Sequence, residues 1–288
     1  MSKHIIVFCE GDHDIAFLTR ILLIQGFTFY SKKVKDFPPP LNELYQKNLG
    51  NKEIKDYEFK FQRPKPKVPY SVLTKGDTLV IFHNLDGDAN FCRDGAKSIV
   101  DMYLNLNKEN IRKIQKYDKL NYRFLYFLDS DDQGVDTRLT NLKDSLELPT
   151  LNNHEIYTKD DYEVGCYIFH DEDHDNKHGQ LEDILTKLMK TNNEDIFTGS
   201  SAFLEDNPLE DNRQKKYTCN IENESYCGTV QFKELKSLIS VAGQLQFSGS
   251  SNAVIIANSD YIKKDDMLAN QHCINITTLF ELEATVDN

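Results

Sequence analysis

The stretch FLYFLDSDDQG, Phe124 to Gly134, decides how this chain is read. A run of apolar and aromatic residues passes without interruption into Asp129, Asp131, Asp132 and Gly134. Such a run is the pattern of a buried parallel strand, and the acids and glycine behind it form a carboxylate-bearing turn. Open α/β sheets bind ligands just beyond the carboxyl ends of their strands, so Asp129 and Asp131 are expected at a crevice there. Hard divalent cations require several carboxylate oxygens at one point, and D-x-D supplies two of them. A calcium loop counted from Asp129 would need Glu at its twelfth position, where the chain has Thr140. A haloacid-dehalogenase-type phosphotransfer site also follows an apolar strand with D-x-D, but it usually carries Thr or Val where this chain has Gln133. The plain alternative is a solvated acidic turn closing a core strand.

The first strand repeats the theme. Ile5 to Phe8 is a continuous apolar run, Glu10 and Gly11 make a turn, and the apolar face Ile15, Phe17, Leu18, Ile21 and Leu22 predicts a helix begun at Asp12 or His13. Glu10 follows a buried strand directly and therefore needs a partner. Asp14 falls in the first helical turn, where it would at least favour the helix dipole.

The two acidic motifs E-G-x-x-D (Glu10, Gly11, Asp14) and D-x-D-x-x-G (Asp129, Asp131, Gly134), in this order, resemble the Toprim domain of topoisomerases, bacterial-type primases and OLD nucleases. The segment HGQLEDIL, with Gly179, Glu182 and Asp183, is similar to the G-x-L-E-D helix start of stand-alone Toprim-like proteins related to the OLD nucleases. A fainter echo lies in KSLISVAGQLQFSG near the C-terminus. The resemblance covers roughly residues 3 to 190. It implies an α/β, Toprim-like (Rossmann-like) fold with a mostly parallel sheet flanked by helices. The expected layout is a catalytic domain over 1–190, with an insertion at about 30–76, and a C-terminal helical extension over 191–288 packed on it.

The resemblance further implies a metal-dependent nuclease using two Mg²⁺ or Mn²⁺ ions to activate water and stabilise the leaving oxygen. Glu10, Asp129 and Asp131 would be catalytic, with Glu10 a metal ligand or general acid/base. Asp14 and Glu182 would complete or support the second ion, and Asp183 would be an auxiliary. The substrate is expected to be DNA or RNA, in an antiphage defence setting. The alternative is a partner-regulated module, silent alone, that works with a separate ATPase. The chain has no P-loop and so cannot be that ATPase itself. It also lacks G-x-S-x-G.

Composition sets outer limits. At 288 residues with 39% hydrophobic and 28% charged content, a sizeable core is affordable. No apolar run reaches the roughly 18 residues of a membrane span, and no signal-peptide pattern precedes the first strand. A cytoplasmic protein without membrane association is expected, with homo-oligomerisation left open. The six cysteines show no C-x-x-C pair and are expected to be free thiols. The net charge of −12 is concentrated in Asn153 to Asp211, where 16 acids face 4 lysines. Positive charge gathers instead in Lys52 to Lys75 and in Lys108 to Arg123. Lys60, Arg63, Lys65 and Lys67 are candidates for phosphate contact. The tract HDEDHDNKH, His170 to His178, is metal-like in composition but is expected to be a mobile acidic loop, since catalytic Mg²⁺ prefers oxygen ligands.

Overall fold

The computed structural model describes residues 3–50, 67–85, 87, 95–208, 218–220, 225–227 and 233–280. The centre of the sheet consists of β1 (Lys3–Cys9), β4 (Thr78–Asn84), β5 (Asn121–Asp129) and β7 (Tyr162–Phe169). With β2 (Thr28–Phe29), β3 (Ser71–Lys75) and β6 (Ile156–Lys159) they form one seven-stranded sheet in the order β2-β3-β4-β1-β5-β7-β6. The four central strands are mutually parallel, while β2, β3 and β6 run antiparallel to their neighbours. The expected mostly parallel sheet is thus parallel in its core and antiparallel at both edges. The reason is local: two-residue turns at Gly76–Asp77 and Asp160–Asp161 fold β3 onto β4 and β6 onto β7 as hairpins, and so short a connection cannot make a parallel crossover. The 30–76 region therefore contributes a strand to the sheet.

Alternation along the strands feeds two cores. Ile5, Val7 and Cys9 of β1, with Leu125 and Phe127 of β5, belong to one cluster, and Ile6 and Phe8, with Phe124, Tyr126 and Leu128, to the other. The second cluster is covered by α2 (Leu41–Gly50), α3 (Ala96–Leu106) and α5 (Val135–Ser145), with the short α4 (Glu109–Gln115) following α3. The first is covered by α1 (Asp12–Ile24), α6 (Leu181–Lys190) and α7 (Glu194–Asp206). A two-stranded ribbon of β8 (Thr218–Asn220) and β9 (Ser225–Cys227) precedes the last four helices. These are α8 (Glu234–Gly243), α9 (Asn252–Asn258), α10 (Lys264–Ala269) and α11 (Gln271–Phe280).

The C-terminal helices share the first core. Ile239, Ile255, Ile256, Ile276 and Leu279 join the same apolar cluster as Phe17 and Leu18 of α1. Arg20 of α1 ties the arrangement together by donating to the carbonyls of Ile256, Ser259 and Ile262 at 2.8, 2.7 and 2.5 Å. Buried carbonyls in the last turn of α9 and in the loop behind it are thereby satisfied from another helix, which ties the two together.

The chain order places a crevice. From β1 the chain crosses to β4 on one side and later to β5 on the other, so the strand order reverses between β1 and β5. This topological switch point opens at the carboxyl ends of both strands, immediately before Glu10 and at Asp129.

Candidate functional site

Four acids from three chain segments gather at this switch point. Glu10 follows β1, Asp14 lies in the first turn of α1, Asp129 ends β5, and Glu182 lies in the first turn of α6. Asp14 and Glu182 are buried, at 6% and 1% exposure, and Asp129 and Glu10 are partly covered. Each of three carboxylates is anchored by a local donor. Gly11 N–H donates to Asp14 Oδ2 at 2.9 Å, which returns the helix's third residue to its cap, and Leu181 N–H donates to Asp129 Oδ1 at 2.8 Å. His13 Nδ1 lies 2.7 Å from Glu182 Oε1, with Lys236 Nζ 3.3 Å from the same oxygen.

Their electrostatics are mutual. Burial, with the charge of Glu182 adding to it against the Gly11 hydrogen bond, pushes the Asp14 carboxyl up to about 7. Burial, followed by the charges of Asp14, Glu10 and Glu182, pushes Asp129 well above the ordinary carboxylate range. Glu182 is the exception. Burial works to raise it, but the His13 hydrogen bond and the Lys236 and His13 charges outweigh that effect and hold it low. Lys236 in turn is raised: burial opposes its charge, and Glu182, Asp129 and Asp14 more than compensate. The site therefore holds one settled anion, Glu182, beside two carboxyls that resist ionisation.

Asp131 departs from the expected arrangement. Its backbone takes a left-handed conformation, φ 46°, and its carboxylate pairs with Arg138 Nη2 at 2.5 Å on α5 instead of joining Asp129. The reason is a clamp: Asp131 N–H donates to the Gly179 carbonyl at 2.7 Å and Gly179 N–H returns to Asp131 at 3.3 Å. This bridge joins the loop after β5 to the entry of α6, and so sets Asp129 against Leu181 and Glu182. Gly179, φ +137°, could not carry a side chain there, because a Cβ would stand 2.6 Å from the Asp171 nitrogen. Asp183 likewise serves the helix start, accepting from Gln180 N–H at 2.8 Å.

Two contributors to the site were not singled out by sequence. His13 stood only as a helix start, and Lys236 only as the first residue of the C-terminal KSLIS echo. A lysine in the first turn of an apolar helix was the available signal, but its partner lies 54 residues earlier in the chain. Lys60, Arg63 and Lys65 lie outside the described residues. Lys67 is exposed.

In class, then, this is an open-sheet α/β protein with a Rossmann-like layout and an anchored carboxylate cluster at its switch point. Its donor set is all oxygen, which suits Mg²⁺ or Mn²⁺ better than softer metals. The cluster is splayed: among the described residues, only His170, Glu172 and His272 bring three candidate ligand atoms within 4.8 Å of one another. The carboxylates would have to rotate towards a shared ion.

No family model and no curated protein matches this chain. Among solved structures, a hypothetical protein, PH0156 from Pyrococcus horikoshii OT3, aligns over 97% of this chain and 95% of its own, at 16% identity and a TM-score of 0.49. Among the described residues, no helix is long and apolar enough to cross a membrane.

Proposed function

We propose that the protein is a divalent-metal-dependent phosphodiesterase acting on nucleic acid, a nuclease, with its reaction centre at the carboxylate cluster. The observation that carries the reading is the burial of Asp14 beside Glu182 and Asp129, which raises Asp14 to about 7. Folding gains nothing from forcing like charges together in a poorly solvated crevice, whereas a cation held among them would turn that repulsion into attraction. Asp14, Asp129 and Glu182, with Glu10 beside them, would hold Mg²⁺ or Mn²⁺. The ions would supply Lewis-acid stabilisation of a phosphoryl oxygen and an activated water. The chain's own part is to fix the donors: Gly11 and Leu181 N–H groups orient Asp14 and Asp129, and His13 and Lys236 keep Glu182 ionised.

The test is incubation of the purified chain with single- and double-stranded DNA and RNA in Mg²⁺, in Mn²⁺ and in chelator. Cleavage confined to the metal-containing reactions, and lost in Asp129→Asn, supports the reading. Full cleavage in chelator refutes the metal mechanism.

A second reading, a module silent alone and released by a partner such as a separate ATPase, draws on Lys236. Its ammonium already compensates Glu182, so it competes with a cation for that carboxylate. Activity of Lys236→Met in the absence of any partner, with a silent parent chain, would favour this form.

A further inference from the structure

We propose that His170, Glu172 and His272 form a second metal site, selective for a Zn²⁺-class ion, on the strand next to the carboxylate cluster. His170 directly follows β7, Glu172 lies two residues on, and His272 comes from α11. One nitrogen of each histidine and a carboxylate oxygen of Glu172 lie within 4.8 Å of one another. His170 Nε2 and Glu172 Oε1 are already 3.0 Å apart. Ligands on a tetrahedral Zn²⁺, bound at about 2.0–2.1 Å, stand about 3.3 Å from each other. Side-chain rotation would have to close the remaining gap.

The hydrogen bonds around the triad single out the ligating atoms. His170 Nδ1 lies 2.8 Å from the Ile168 carbonyl, which can only accept, so Nδ1 carries a proton. Nε2 then either holds a second proton, as an imidazolium paired with Glu172, or presents its lone pair to a metal. His272 Nδ1 lies 2.7 Å from the Tyr167 hydroxyl, and with Nδ1–H donating to that oxygen its Nε2 would keep a lone pair for a metal. Histidine ligands in metal sites are oriented in this way, by a partner on the far ring nitrogen. Both rings are buried, at 4% and 9% exposure, and their centroids are 5.1 Å apart at 66°. The side chain of Glu172 is about half exposed and forms the open rim.

Two imidazoles and one carboxylate leave a fourth tetrahedral position for water, a donor set suited to Zn²⁺ and poorly suited to Mg²⁺. Binding would tie α11 to the end of β7, two elements about a hundred residues apart in the chain. His174 and His178 stack on each other at 5.0 Å, and His174 Nδ1 bonds the Asp175 carbonyl, so they stand apart from the triad.

The experiment uses the full chain stripped with chelator, dialysed and titrated with Co²⁺ as a spectroscopic stand-in for Zn²⁺, then with Zn²⁺ in competition. The expected result is the intense visible absorption of tetrahedral Co²⁺ at one equivalent, displaced by Zn²⁺. Glu172→Gln and His272→Gln should each abolish it, and Tyr167→Phe should weaken binding about 10–100-fold through loss of the orienting partner. Asp129→Asn should leave the Co²⁺ spectrum intact while removing the Mg²⁺ or Mn²⁺ response of the carboxylate cluster, so the two sites succeed or fail separately. Should His272→Gln fail to fold, Glu172→Gln at the exposed rim still decides the matter. Absence of tetrahedral Co²⁺ absorption in the parent chain, leaving His170 and Glu172 as an ion pair only, overturns the proposal. Its persistence in Glu172→Gln does the same.

Discussion

Replacing Asp14 by Asn would test whether the carboxylate cluster is strained without a cation. The Asn oxygen can still accept from Gly11 N–H, so the cap survives and only the charge is lost. Asp14 titrates at about 7 in the folded chain against an ordinary value of 3.8. Between those values the folded state binds more protons than the unfolded state, so Asp14 lowers stability as pH rises through this window. In metal-free buffer keeping this carboxyl buried therefore costs several kcal/mol at pH 8, on the order of 4, and a minor part of that at pH 5, where the folded carboxyl stays protonated. Glu10, Asp129, Glu182, His13 and Lys236 are present in both chains, and relief of Asp129, which the Asp14 charge helps to push up, favours the variant at high pH in the same direction. Urea unfolding in chelator at pH 5 and pH 8 therefore measures the difference directly. Asp14→Asn should be more stable than the parent at pH 8, with most of that advantage gone at pH 5. Saturating Mn²⁺, at about 100 times its Kd, should add about 2.7 kcal/mol to the parent and much less to the variant. A variant-minus-parent difference that is the same at both pH values would show that Asp14 ionises normally, and the reasoning would fall.

Asp131→Asn should cost at most about 1 kcal/mol, because its pair with Arg138 is partly exposed, and by thermal melting it should keep the full cation-induced shift. A lost shift would return Asp131 to the metal site. Gly179→Ala forces a Cβ against the Asp171 backbone at a left-handed position, so it should lower stability by more than about 1 kcal/mol and raise the Kd for Mn²⁺, read by calorimetry. Arg20→Met removes the donor to three carbonyls and should cost about 2–4 kcal/mol in urea unfolding. A loss below about 0.5 kcal/mol would mean that water replaces those bonds without penalty.

The strands that frame the crevice were legible because their signals are local. Ile5 to Phe8 and Phe124 to Leu128 are unbroken apolar runs of the length and composition of a strand buried on both faces, and an acid within two residues of the end of each run falls at the sheet's carboxyl edge. Glu10, Asp14 and Asp129 could therefore be placed at that edge from their positions after strands and at a helix start, whereas Glu182 came only with the resemblance of HGQLEDIL to a G-x-L-E-D helix start. The direction of Asp131 could not: period and spacing put it beside Asp129, but a backbone bridge to Gly179 and an arginine on α5 turned it away. Nor could the antiparallel edges be read with certainty from β-like runs, since strand direction depends on the turn between them. The compensation of Glu182 by His13 and Lys236, and the meeting of His170 with His272, join residues separated by 169, 54 and 102 positions. Side-chain pairs of that kind leave no periodic trace in a single sequence. They exist because α8 and α11 fold back onto the face of the sheet that α1 and α6 already occupy, and that choice of face is made by the shared apolar core.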